Sequence, residues 1–296
     1  MKKIILVLSL VLLALVGCSK SEDAILAGVS SNLLKRIENS SETLDGNSTT
    51  NVAYNGNKII EFSSSRNGIL SKTIFTYNGD LIIKRESLSN GILNASEEYI
   101  YENGKLTTTF SMYSNTSQSG IIVFIKSKKV YTYNANGTVL ETNFKFVDNA
   151  YVTANSTKLY TIYNGNVTKL IGNSSSSSTY YNGTTTVTDI YTSTYTNNYE
   201  YDSKNNPLKN ILGWSKISFD SNNSINNLLK ETGLSESTTN GVANPAVPER
   251  VREYTLMYNS NDYPTLIKYL TTTSTVNNNG VITTVVKTNT TNYFYE

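Results

Sequence analysis

The sequence contains no histidine among its 296 residues. That absence excludes a Ser-His-Asp triad, a Cys-His pair and every histidine-based metal site. There is one cysteine, Cys18, so no disulfide framework can form. Proline occurs four times and tryptophan once. No glycine-rich phosphate loop precedes a Lys-Ser or Lys-Thr pair. Charged residues make up 16% of the chain, 25 basic against 23 acidic, which leaves no basic footprint for nucleic acid. Beyond the first 17 residues there is no second long apolar run, so no transmembrane helix is expected.

What the N-terminus does contain is an address. Lys2 and Lys3 precede an apolar run, residues 4–16, broken only by Ser9. A positive stretch, a short apolar stretch and a small-residue cleavage site make a secretory signal. Leu15-Val16-Gly17-Cys18 resembles the lipobox of bacterial lipoproteins. The resemblance implies a signal peptide over 1–17, cleavage before Cys18, and acylation of the Cys18 sulfur and its new amine. Residues 18–32 then form a lipidated tether. Each buried CH₂ of an acyl chain contributes ~0.8 kcal/mol, and two or more chains hold where one does not. Ser19, in place of an Asp, implies the outer membrane. Lys20, Glu22 and Asp23 resemble the acidic tether that sends some such lipoproteins to the cell surface. Without residues 1–17 the side-chain charge balances at zero.

Tyrosine, 22 residues, far exceeds phenylalanine at 8, and with abundant Thr, Ser, Asn and Val the composition is that of β structure. One unit recurs. At residues 75–85 two β-type runs flank Asn78-Gly79, and Asn-Gly between such runs is a strong hairpin signal. A two-residue turn there pairs Tyr77 with Asp80 and Phe75 with Ile82, and places Ile74 with Ile83 on the other face. Both faces being partly apolar, cover on both sides is expected. Copies follow at Tyr54-Asn55-Gly56, Tyr99 to Gly104, Tyr131 to Gly137, Tyr160 to Gly165, Tyr180 to Gly183, Tyr199 to Asp202, Tyr254 to Tyr258 and Tyr293 to Tyr295. The spacing, roughly 20–40 residues, makes this a degenerate repeat.

Residues 33–296 are therefore read as a single all-β domain. It is an antiparallel up-and-down meander of hairpins forming one large twisted, rolled or barrel-like sheet. The first strand begins near residue 33 and returns through Asp45-Gly46-Asn47. Residues 121–133 read as a buried central strand and Ser174 to Ser178 as a polyserine turn or a disordered loop tip. Residues 213–250 break the pattern and are expected to be a partly helical insertion. They hold Trp214, a short helix over 225–231 capped by Asn223 or Ser224, and a polar loop over 235–244. A last turn is expected at 277–280.

Tyr199-x-Tyr201-Asp202 with Asn205-Asn206-Pro207-Leu208, and Tyr131-x-Tyr133-Asn134-x-Asn136-Gly137, resemble the Tyr-Asp (YD, RHS-type) repeat. The chain resembles bacterial surface lipoproteins built from degenerate copies of it. The resemblance implies a rolled or barrel-like antiparallel sheet and no catalytic residues. Asp occurs in one copy only; Asn or Glu replaces it elsewhere.

Carboxylates are the only catalytic chemistry left open, as in glycoside hydrolysis. The candidates are Glu97, Glu98, Glu141, Asp189, Glu200, Asp202 and Asp220. The runs at Asp202 to Asn206 and Asp220 to Asn223 offer oxygens for Ca²⁺ but lack a regular loop spacing, so Asx-turns are the expected reading. No catalytic residue, metal or cofactor is assigned. Cys18 is the lipid-attachment site and Trp214 the aromatic candidate for a binding face. The expected function is a membrane-anchored, non-enzymatic binding or scaffold module for a glycan, matrix or protein partner. The alternatives are a carboxylate-dependent polysaccharide hydrolase, a lipid or lipoprotein carrier and, last, a transmembrane barrel.

Overall fold

The computed structural model describes residues 32–41, 47–116, 122–245, 249–276 and 282–296. Cys18, the signal peptide, the tether, Asp45-Gly46 and the 277–280 turn lie outside the described residues. Seventeen strands form one antiparallel sheet. They are β1 (Leu34–Ser41), β2 (Ser48–Asn55), β3 (Lys58–Arg66), β4 (Ile69–Asn78), β5 (Leu81–Ser89), β6 (Ile92–Glu102), β7 (Lys105–Thr116), β8 (Ile122–Tyr133) and β9 (Thr138–Val147), followed by β10 (Ala150–Tyr163), β11 (Asn166–Tyr181), β12 (Thr186–Tyr201), β13 (Leu228–Thr239), β14 (Val242–Ala243), β15 (Arg250–Tyr258), β16 (Pro264–Val276) and β17 (Ile282–Tyr295). Consecutive strands pair from β1 to β14, β13 also pairs with β15 past the two-residue β14, β15 to β17 pair in order, and β17 pairs with β1. The meander thus closes into a 16-strand barrel, which removes the open edges of the sheet.

The turn chemistry follows the sequence at four Asn-Gly pairs and is shifted by one residue at two, residues 55–58 and 78–81. Asn67-Gly68, Asn90-Gly91, Asn103-Gly104 and Asn164-Gly165 have φ > 0 at both positions, as a type I′ turn requires. At residues 78–81 the loop is Gly79-Asp80, one residue later than expected: Asn78 pairs with Leu81 and Tyr77 with Ile82. Only Gly79 has φ > 0, at 55°, the pattern of a turn with Gly in its first central position.

One rim carries the tyrosine repeat, and its construction explains that repeat. Seven of its eight turn-side or terminal seams hold an extra residue near the start of the incoming strand: Lys35, Ile60, Ile83, Thr107, Thr168, Leu229 and Thr265. Such bulges bend and twist a strand. On the far side of each bulged strand the regular pairing stops short of the rim. Between β5 and β6 it ends at Lys84 and Glu98; between β7 and β8 it ends at Thr108 and Val130. The first residues of β5 and β7 are left with backbone groups facing no partner strand. Tyrosine hydroxyls fill these places. Tyr54 donates to the Leu34 carbonyl (2.8 Å), Tyr101 to Ile82 (2.8 Å), Tyr133 to Leu106 (3.0 Å), Tyr201 to Val167 (2.8 Å) and Tyr295 to Pro264 (2.8 Å). Tyr77 accepts instead from the Ile59 amide, at 3.1 Å. The exception supports the rule: β9 has no bulge, its pairing with β10 runs to Thr138 and Thr161, and there the equivalent inward residue is Ile162.

The bulges also flip the alternation of faces. Ile82 is buried inside while its neighbour Ile83 occupies the bulge, so Ile83 does not share a covered outer face with Ile74. Among the described residues none covers the outer face at Ile60 and Ile74, which are exposed. Further expectations give way here. Residues 174–178 are not a turn but the middle of β11, paired with Asp189 to Ser193 of β12. Strand β8 is not buried along its length, since Ile122, Val123 and Phe124 are exposed and only Tyr131 is buried. The insertion is shorter and earlier, residues 202–227, and holds two 3-10 turns, Trp214–Lys216 and Ser221–Asn223, in place of a helix. Four of the seven residues of the expected helix and half of the polar loop fall in β13, where Leu228, Lys230 and Glu231 pair with β12 on one side and, from Lys230, with β15 on the other. A seven-residue helix has little stability of its own to set against two ladders.

Candidate functional site

The insertion between β12 and β13 folds into the barrel end as a plug. Its two ends are clamped together by Asp202, the one aspartate of the Tyr-Asp copies. The Asp202 amide donates to the Asn227 carbonyl at 3.0 Å. Its carboxylate accepts from the Asn227 amide (3.0 Å), the Asn227 side chain (3.0 Å), the Lys204 amide (3.0 Å) and the Tyr258 hydroxyl. Asn166 and Asn226 exchange two further bonds, at 2.9 and 3.1 Å, which ties the plug to β11. Asp220 caps the second 3-10 turn through the amides of Asn222 and Asn223. Both aspartates thus make Asx-type turns, and among the described residues no acidic cluster suited to a metal occurs.

The plug is apolar where it meets the wall. Ile211 and Ile217 are buried with Phe75, Tyr99, Leu106, Tyr131 and Tyr160. Trp214 packs edge-on against Phe62 and Phe75, both at 5.8 Å, and Phe219 sits 5.2 Å from Tyr131 and 5.7 Å from Tyr160. These contacts are those of a core side chain, so the aromatic singled out from the sequence lies in the plug and not on an exposed face. Gly213, at φ 75°, brings the plug backbone against the β4–β5 turn; a Cβ there would lie 2.7 Å from the Asp80 carbonyl oxygen.

Deeper along the strands several lumen-facing residues are charged, and ion pairs within the wall join some of them. Arg85 meets Glu97 at 2.8 Å and Lys158 meets Glu141 at 3.6 Å. Glu231, nearly buried, binds Arg250 at 2.6 Å and Arg252 at 3.1 Å. Tyr99 donates to Glu97 and Tyr160 to Glu141. Burial, reinforced by the adjacent carboxylate, pushes both phenols well above their ordinary range and keeps them as donors. Of the candidate carboxylates, Glu97 and Glu141 face the lumen, each engaged by a cation and a tyrosine. Glu98 and Glu200 face outward, Asp189 lies toward the opposite rim bonded to Asn240, and Asp202 and Asp220 belong to the plug.

The plug leans on the β3–β11 wall. On the other side a cavity of about 400 Å³ remains between it and β1, β13 and β15–β17. Tyr254, Tyr269 and Tyr293 line it, with Arg252, Thr291 and plug residues that include Asn206 and Asn227. The rings of Tyr254 and Tyr269 lie 5.3 Å apart at 38°. Arg252 extends over Tyr269, 5.4 Å from the ring centre. The side chain of Asn227 is held by Asp202 through its nitrogen, while its buried Oδ1 has no partner among the described residues. Residue type alone could not reveal this site, because its members come from both ends of the domain. The cavity wall is not the continuous apolar face a lipid carrier needs.

The outer face carries charge at mid-strand. Glu200, Lys230 and Glu253 stand in one cross-strand row on β12, β13 and β15, and Lys84 stands opposite Glu98. Lys72 pairs with Glu61 at 3.0 Å, and Lys126 and Lys128 lie over the outward rings of Phe146 and Phe144. Each Lys on a lipid-facing wall costs ~2–4 kcal/mol at the bilayer midplane.

No family model matches the chain, and no curated protein matches it. Among solved structures the chain is similar to a porin-like protein from Bacteroides uniformis ATCC 8492, at 13% identity and a TM-score of 0.46, over 89% of this chain and 98% of that one. A protein of unknown function from Bacteroides fragilis NCTC 9343 is a fainter likeness, at 11% identity and a TM-score of 0.21, over 65% of this chain and 89% of that one.

Proposed function

We propose that this chain is a non-enzymatic binding module: a water-exposed, plugged barrel, tethered to the outer membrane through a lipidated Cys18, that takes its ligand inside the barrel wall. The observation that carries the reading is the outer face. Rows of Lys and Glu at mid-strand suit water and not acyl chains, so the wall needs a separate anchor to stay at a membrane. The lipobox-like Leu15 to Cys18 stretch supplies one. Absence of catalysis is supported by the way Glu97 and Glu141 are each spent on a cation and a phenol of the wall. The Tyr-Asp resemblance fits the same picture, since its one Asp closes the plug.

Fractionation of the full chain expressed in a lipoprotein-processing bacterium tests it. The wild type should sediment with outer membranes, and Cys18→Ser should be released as folded, soluble protein. A Cys18→Ser protein that stays membrane-embedded and resists alkaline extraction would overturn the proposal in favour of a membrane-spanning wall.

A further inference from the structure

We infer that the cavity between the plug and the β13–β1 wall is a binding site for an uncharged sugar ring, of one or two units. The inference rests on the proposed binding function and names its ligand class. Size is the first argument: about 400 Å³ falls within the ~300–1,000 Å³ of small-molecule sites. Chemistry is the second. One side is aromatic, with Tyr254 and Tyr269 at 5.3 Å and Tyr293 beside them. Aromatic faces carry negative quadrupole density and attract the weakly positive C–H face of a ring. The plug side is amide and hydroxyl, which suits a hydroxyl-bearing edge.

Charge is the third argument. Among the described residues no carboxylate lines the cavity. The one cation that does, Arg252, shares Glu231 with Arg250 and is laid on Tyr269, so its charge is partly met. A cation finds no counter-charge there, and an anion finds only a guanidinium already engaged by a carboxylate and a ring. Asn227 is 1% exposed and borders the cavity, and among the described residues its Oδ1 has no partner while its nitrogen is committed to Asp202. A stranded buried acceptor is costly. A ligand hydroxyl donating to it would relieve that cost, and a hydrocarbon could not.

The test is saturation-transfer NMR and titration of the purified full domain with D-glucose, D-galactose, N-acetyl-D-glucosamine and D-glucuronate. At least one neutral sugar should bind, with transfer strongest at ring C–H protons. Tyr269→Ala should weaken it at least tenfold, and Thr291→Trp, which fills the cavity, should abolish it, with circular dichroism confirming that the variants fold. Where Thr291→Trp fails to fold, Tyr269→Ala decides alone. Binding by no neutral sugar, binding only by glucuronate, or binding that survives Tyr269→Ala would each overturn the inference. None of those outcomes changes the fractionation result, so failure here is distinguishable from failure of the anchored-module reading.

Discussion

Replacing Tyr101 by Phe isolates the part of the repeat that holds the rim together. The ring stays, so its burial is conserved. What is lost is one hydroxyl, 2.8 Å from the Ile82 carbonyl. Ile82 is 0% exposed and its strand has already parted from β6 at Lys84 and Glu98. Neither water nor a neighbouring strand can replace the donor. The cost is therefore that of a stranded carbonyl, about 1–3 kcal/mol, and not the smaller net value of an exchangeable bond. At about 2–4 °C per kcal/mol for a domain of this order of size, the midpoint of thermal unfolding should fall by several degrees. Urea denaturation should show the same loss as a lower midpoint with unchanged slope. Tyr163→Phe is the control. Tyr163 precedes a turn in the same repeat, but it is 69% exposed and faces outward where Ile162 faces in. It should change stability by no more than about 0.5 kcal/mol. Tyr133→Phe should match Tyr101→Phe, and the pair should be additive because they serve different seams. Equal, small effects for Tyr101→Phe and Tyr163→Phe would refute the reasoning and return the tyrosines to a role in packing alone.

Other outcomes follow from the plug and the phenols. Gly213→Ala should cost at least about 2 kcal/mol, since a left-handed backbone costs ~1–2 kcal/mol and the new Cβ also meets the Asp80 carbonyl; urea unfolding followed by Trp214 fluorescence reports it. Ile217→Ala should cost about 2–5 kcal/mol by the same assay, because the side chain is buried among the core aromatics. Alkaline pH should unfold the barrel. Burial raises the Tyr77 phenol from 10.0 in the open chain to about 12, so its contribution is fully present below pH 10 and is lost as pH rises through about 12. Tyrosinate absorbance and circular dichroism should then change together over that window, and buried phenols that ionise before the β-signal is lost would contradict the burial argument.

The repeat was legible in the sequence because turn chemistry is local. Asn67-Gly68, Asn103-Gly104 and Asn164-Gly165 form turns where their residue types require, and the all-β meander follows from them. The bulges were not legible as such, yet they leave a trace. The doublets Ile59-Ile60, Ile82-Ile83 and Leu228-Leu229 each break the period-two alternation where the extra residue sits. Read as strand interior, a doublet suggests cover on both faces; read as a bulge, it marks where the inward face resumes. The site was hidden for a different reason. Tyr254, Tyr269, Tyr293 and Asn227 become neighbours only after β17 reaches β1 and the plug turns inward, and both events depend on contacts far apart in the chain. Asp202 was visible as a motif residue, but its task of clasping Asn227 depends on a fold-back that spacing does not encode.

The seam between β17 and β1 also bears on how the chain can be rewired. The Glu296 amide donates to the Leu33 carbonyl at 3.1 Å, so the two ends of the ring meet at one rim. Every pairing except that one is between strands that are near neighbours in the chain. The barrel is accordingly a cyclic string of hairpins with no privileged starting point. A short linker from 296 to 33, with new ends cut at the exposed Asn67-Gly68 turn, should give a permutant with the same barrel, the same plug and a native circular dichroism spectrum.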